Sequence, residues 1–212
     1  MKEWYAQPND RFEVPVDGFV IDVVRGDLLI ELQTRNFAAI KRKLTKLVGH
    51  HPVRLVYPIA REKWIVKLAK DGHDQLNRRK SPKRGASEHV FEELVSLPEL
   101  LLNPNFSIDL LFVQEEEVRR HDTNRRWRRK GWVTYERRLL QVMEQRLFRV
   151  PADMGALIPS NLVEPFTASD LAFAIAKPQR LAQKMVYCLR LMGCIMQIRK
   201  RGNSILYSRV TI

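Results

Sequence analysis

Residues 19–34 read Phe-Val-Ile-Asp-Val-Val-Arg-Gly-Asp-Leu-Leu-Ile-Glu-Leu-Gln-Thr. Two apolar runs, 19–24 and 28–34, flank Arg25-Gly26-Asp27, a tight turn in which glycine supplies dihedrals that other residues resist. Both runs are rich in Val, Ile and Leu and have strand length, so the stretch predicts a β-hairpin. Asp22 lies on the first strand. Glu31 and Gln33 lie on the second, two apart, and therefore on one sheet face. Hairpin pairing brings Asp22 and Glu31 close on that face. Each carboxylate sits among apolar neighbours: Val20, Ile21, Val23 and Val24 for one, Leu29, Ile30 and Leu32 for the other. Buried strands tolerate carboxylates poorly unless a cation or donor meets them. Two in register suggest a divalent metal site with oxygen ligands. The alternative is a pair of edge carboxylates facing solvent or paired with arginine.

Outward from this hairpin the pattern is α/β. Phe12–Val16 reads as an edge strand because of Pro15, and residues 2–7 as a short helix. After the hairpin, Asn36 is placed to cap a helix to about Val48, with Phe37, Ile40, Leu44, Leu47 and Val48 on one face and Gly49 ending it. Val53–Tyr57 then forms a strand, and strand–helix–strand order implies a parallel crossover. Trp64–Leu68 reads as a further strand and 71–87 as a long basic loop. Glu88–Leu102 reads as a helix and Phe106–Val113 as a strand. Residues 135–148 carry no decisive pattern.

Asp22, eight intervening residues, then Glu31-Leu32-Gln33 on a strand followed by a helix resembles the PD-(D/E)XK phosphodiesterase superfamily over about residues 1–60. The resemblance implies a restriction-endonuclease-like mixed sheet core flanked by helices, with Asp22 and Glu31 as ligands for Mg²⁺ or Mn²⁺. That ion would activate water and neutralise the phosphodiester. It also implies that Gln33 stands where the family usually has a lysine that orients the attacking water. Glutamine carries no positive charge, so a lysine from the following helix, Lys41 or Lys43, is expected to supply it. Lys41 is preferred because it lies nearer the helix start. Glu3 or Glu13 would be a further acidic member.

From Pro151 onward the pattern changes. Helices are expected at 151–158, from Thr167 to about Ala176, and over 178–192, where Leu181, Met185, Cys188, Leu189 and Met192 make one apolar face. A hairpin follows, with Arg199-Lys200-Arg201 at its tip. Three helices and a hairpin resemble a winged helix-turn-helix, which divides the chain into a nuclease-like domain, 1–150, and a DNA-binding domain, 151–212. Gln179, Arg180, Gln183, Lys184 and Tyr187 lie off the apolar stripe and are candidates for groove contacts. Arg199, Lys200 and Arg201 suit phosphate contacts. The alternative is a subdomain that packs on the core or on a partner protein.

The charge agrees with a polyanionic partner. Lys and Arg number 37 against 24 Asp and Glu, a net charge of +13, which favours nucleic acid. The 45% hydrophobic content argues against wholesale disorder. No apolar run approaches the roughly 18 residues that span a bilayer. Met1-Lys2-Glu3-Trp4-Tyr5 lacks the apolar stretch of a secretory signal, so a cytoplasmic chain with Cys188 and Cys194 reduced is expected. Arg125-Arg-Trp-Arg-Arg-Lys-Gly-Trp132 mixes cations with aromatics, fit to grip nucleic acid or to cover Trp faces with Arg. Glu115–Glu117 reads as a solvated face balancing Arg119 and Arg120.

The expectation is a Mg²⁺- or Mn²⁺-dependent deoxyribonuclease acting through Asp22, Glu31, Gln33 and Lys41. Its partner is DNA, duplex rather than single-stranded, and cutting both strands would favour a homodimer. The rival is a non-catalytic DNA-binding regulator or scaffold whose nuclease-like core has lost activity.

Overall fold

The computed structural model describes residues 1–69, 74–122 and 131–210. Most of the Arg- and Trp-rich stretch, 125–130, lies outside them. The chain forms two compact units: one of Met1, 58–86 and 110–145, the other of 2–57, 87–109 and 146–212. No helix among the described residues is long and apolar enough to cross a membrane.

The hairpin is present as expected. After α1 (Lys2–Tyr5), strands β1 (Arg11–Val16), β2 (Phe19–Arg25) and β3 (Leu28–Leu32) run antiparallel in sequence. Helix α2 (Phe37–Leu47) then crosses over to β4 (Val53–Leu68), which pairs parallel with β3 from Leu29↔Val53 to Leu32↔Val56. Apolar side chains of β2, β3, β4 and α2 form the core here: Ile21, Val23, Ile30, Leu55, Phe37, Leu44 and Leu47 are all buried. Asn36 does not cap α2 through its side chain. It takes a left-handed backbone, φ 59°, which asparagine tolerates better than most residues. The Phe37 amide donates instead to the Glu93 carboxylate, 3.2 Å.

The rest departs from expectation in four places. β4 is one strand of 16 residues rather than two short ones. Pro58 falls between the last β3 rung at Val56 and the first β5 rung at Trp64, so its missing N–H breaks no ladder on that side. Within 71–87 lies strand β5 (Gln75–Lys80), antiparallel to β4. The helix expected over 88–102 is only a turn of 3₁₀ helix, α3 (Phe91–Leu94) and a second 3₁₀ turn at Leu100–Leu102; Pro98 has no N–H to continue it. Strand β6 extends over Phe106–His121, and β7 occupies Trp132–Phe148. The larger sheet has the order β1-β2-β3-β4-β6-β7, with β5 beside β4. Glu115–Glu117 is therefore strand, not a solvated face. Glu117 is buried, with Lys63 at 3.3 Å and Arg119 at 2.7 Å.

The C-terminal elements follow the expected order: α4 (Pro151–Gly155), α5 (Ala168–Ala174), α6 (Gln179–Leu191), and the hairpin β8 (Ile195–Arg201) and β9 (Ser204–Arg209). Phe166, just before α5, adds a bridge to Tyr207 of β9. Thr167 and Asp170 form a reciprocal capping box at the start of α5, as the Thr-Ala-Ser-Asp sequence implies.

Candidate functional site

The β2–β3 ladder stops at Val23↔Ile30, and the next pair in register is Asp22 and Glu31. There the carboxylates replace the backbone rungs. Leu32 N–H donates to Asp22 Oδ2 at 2.9 Å, and Asp22 N–H donates to Glu31 Oε1 at 3.3 Å. Each carboxylate thus has one oxygen held by a main-chain N–H of the opposite strand, which orients it.

Two lysines complete the group. Lys43 of α2 places Nζ 2.5 Å from Glu31 Oε1 and also donates to the Val20 carbonyl at 2.5 Å. Lys2 of α1 places Nζ 2.7 Å from Asp22 Oδ1 and 3.3 Å from Glu13 Oε1. The inner pair is nearly sealed, with side-chain exposures of 7% for Glu31 and 16% for Lys43. The outer pair is more open, at 25% for Asp22 and 40% for Lys2. Burial pushes the Glu31 carboxyl above its ordinary range, the Lys43 ammonium opposes that, and the Asp22 charge adds to it. The hydrogen bond to Asp22 raises Lys2. The result is a polar group with a buried lysine–carboxylate base and a carboxylate at the rim.

Gln33 and Lys41 are not part of it. The Gln33 side-chain amide donates to the carbonyls of Arg35, 2.6 Å, and Asn36, 3.4 Å, closing the turn into α2. Lys41 is exposed and lines a surface hollow with Ala38, Arg42 and Thr45. The lysine beside the carboxylates is Lys43. At 100° per residue, position 43 falls on the helix edge shared with Lys46, and both reach main-chain oxygens of the β1–β2 segment, Val20 and Asp17. Position along the helix does not decide which lysine reaches the site; the edge of the helix does. Glu13 belongs to the rim through Lys2, while Glu3 is exposed.

In the C-terminal elements, the exposed face of α6 carries Gln179, Arg180, Gln183, Tyr187 and Arg190. A cleft lined by Gln179, Gln183, Tyr187 and Arg190 continues to Gln197 and Asn203 of the hairpin. Arg199, Lys200 and Arg201 are exposed at the end of β8. Lys184 leaves this face: it borders the buried Leu181–Met185–Cys188 stripe and donates to the Glu92 carbonyl at 3.1 Å. Arg190 takes its place on the exposed face, a position the 179–183–187 spacing points to.

Comparison with known proteins gives a family. No solved structure matches. An uncharacterized protein of Treponema pallidum (strain Nichols) is 32% identical over 173 residues, covering 81% of this chain and 68% of the relative. Residues 1–149 match DUF8091, described as a domain of unknown function. With its matched segment containing both carboxylates and both lysines of the site, the chain belongs to the DUF8091 family.

Proposed function

We propose that this protein binds duplex DNA and hydrolyses its phosphodiester bonds with Mg²⁺ or Mn²⁺ at Asp22 and Glu31. The observation that carries the reading is Lys43: its ammonium sits on Glu31 beside Asp22 and supplies the positive charge that Gln33 lacks.

The donor chemistry fits a hard divalent ion. Two carboxylates stand together, and the more exposed one, Asp22, already holds a cation in Lys2, whose side chain is 40% exposed. A divalent ion there would lower the pKa of a bound water and offset phosphate charge. Each carboxylate is held by a main-chain N–H, so the ligand oxygens are oriented before substrate arrives. Lys43 keeps a fixed positive charge where charge develops on the phosphate. Glu31 and the Val20 carbonyl hold that ammonium in place.

The C-terminal part supports duplex binding. Helix, a single β-bridge at Phe166, two helices and a two-stranded hairpin follow the order of a winged helix-turn-helix. α6 would present Gln179, Arg180, Gln183, Tyr187 and Arg190 to a groove, and the Arg199–Arg201 tip would meet phosphates. The net charge of +13 agrees.

A specific observation favours a second reading, a DNA-binding protein without catalysis. Both carboxylates are already neutralised by lysines, and no cluster of three or more Asp, Glu, His or Cys able to hold a metal occurs among the described residues. The two readings part in a cleavage assay. Duplex DNA, single-stranded DNA and RNA are incubated with Mg²⁺ or Mn²⁺. The catalytic reading expects duplex cleavage that Asp22→Ala and Glu31→Ala each abolish with binding retained. Binding without cleavage by the wild type, or equal cleavage by both variants, would leave the non-catalytic reading.

A further inference from the structure

We propose that the outer edge of β7 is a homodimer interface, along which two copies of the chain pair antiparallel about a two-fold axis at Gln141. This inference is independent of whether the protein cleaves DNA.

β7 is 17 residues long and ends the strand order of the larger sheet, with β6 on one side and, among the described residues, no strand on the other. A long open edge is a template for another strand, and proteins usually blunt it with charged side chains, proline, bulges or short length. The opposite edge follows that rule: β1 has six residues, contains Pro15, and bends at Glu13 with φ 53°. Residues 135–147 of β7 contain neither proline nor glycine. They also expose apolar side chains on both faces, Leu140 at 44% on one and Tyr135 at 59% and Met143 at 45% on the other.

The occupant is identified by the strand's own sequence, which is charge-complementary to itself in reverse. In an antiparallel pair with Gln141 opposite Gln141, residue i faces residue 282 − i. On one face Glu136 then meets Arg146 of the second copy, Arg138 meets Glu144, and Leu140 meets Val142. On the other face Tyr135 meets Leu147, Arg137 meets Gln145, and Leu139 meets Met143. Every ionic pair is of opposite sign, and the apolar pairs face each other on both faces. A two-fold axis doubles each of these contacts, as expected of an isologous interface. Slipping the register by two residues, to centre on Val142, places Arg138 opposite Arg146 and Glu144 opposite Leu140, and the charge matching is lost. Within one chain Arg138 pairs with Glu136 at 2.8 Å and Glu144 with Arg61 at 2.5 Å. Arg146 also donates to the Ser87 hydroxyl at 3.4 Å, so pairing across the edge adds to or exchanges with contacts these side chains already make.

The test uses the full chain in sedimentation velocity at loading concentrations from about 1 to 100 µM, the range expected of a modest interface. The wild type should dimerise. Glu136→Arg, which opposes Arg146, should weaken the dimer by about tenfold or more, and adding Arg146→Glu should restore it. Gln141→Cys should form an intermolecular disulfide under mild oxidation, because directly opposite residues have Cβ atoms about 4.5–5.5 Å apart. Leu139→Cys and Met143→Cys should cross-link only when mixed, and the wild type, with Cys188 and Cys194 alone, should not cross-link. A monomer at every concentration would overturn the proposal. So would a dimer indifferent to Glu136→Arg, or one in which Gln141→Cys does not cross-link.

Discussion

Lys43→Met removes the ammonium from the most enclosed part of the site while keeping the apolar stem that lies along α2. Glu31 would then stand buried, 7% exposed in its side chain, with its charge met, among the described residues, by the Asp22 N–H alone. Breaking one partner of a buried pair leaves the other desolvated, at about 3–5 kcal/mol. The low end applies because Lys43 keeps 16% exposure, so a loss of about 3 kcal/mol is expected. At about 2–4 °C per kcal/mol for a chain of this size, Tm should fall by about 6–12 °C at neutral pH. The pH dependence carries the diagnostic sign. The Glu31 carboxyl is raised in the fold by burial, and Lys43 is the main influence opposing that rise. Its removal raises the group further. A raised folded value means stability is retained below the unfolded value and lost as pH rises through the folded one. The deficit of Lys43→Met relative to wild type should therefore be large near pH 8 and shrink toward pH 4.5, the ordinary value of this carboxyl, where Glu31 is protonated in the variant. Glu31→Gln added to Lys43→Met should recover most of the loss. Circular-dichroism melts of the three proteins at both pH values decide it. A deficit equal at both pH values, or no rescue by the double change, would show that Lys43 is merely packed there and does not neutralise Glu31.

Two further predictions concern other parts of the chain. Burial opposes ionisation of Glu117, but the Arg119 and Thr134 donors and the Lys63 charge outweigh it and hold the carboxyl at about 2. The stability this adds is present above the unfolded value of 4.5 and is lost as pH falls from there toward 2, amounting to about 3 kcal/mol over the window. Glu117→Gln should flatten that loss in urea titrations, and an unchanged acid dependence would sink the idea. Changing Arg199, Lys200 and Arg201 together to Ala should weaken duplex binding at all sequences and reduce the slope of log K against log salt by up to about 3. An unchanged slope would remove the hairpin tip from the DNA interface.

The parts of the fold written in local periodicity were legible. The Gly26 turn between two apolar runs gave the β2–β3 hairpin, and the 3.6-residue stripe of α2 between β3 and β4 gave the parallel crossover. What depends on distant partners was not. β5 is wholly exposed and has no alternation to read; it lies against β4, where Arg78 stacks over Trp64 at 4.1 Å. β7 is mostly exposed on both faces, so period-2 patterning is absent. Glu117 looked solvated because its neighbours in sequence are charged, whereas Lys63, 54 residues away, is one of its partners. At the site, the hairpin register alone joined Asp22 to Glu31. Choosing between Lys41 and Lys43 required knowing which edge of α2 lies against β2, and sequence spacing leaves that orientation open.

Asp22 and Glu31 are proposed to hold a divalent ion between them. A crystal soaked in Mn²⁺, with data collected at the manganese absorption edge, tests it without relying on any substrate. An anomalous peak is expected within about 2.0–2.4 Å of a carboxylate oxygen of Asp22 and one of Glu31. Lys2 should have withdrawn from Asp22, and Lys43 should still be on Glu31. A map with no peak there, and with Lys2 still paired to Asp22, would contradict it.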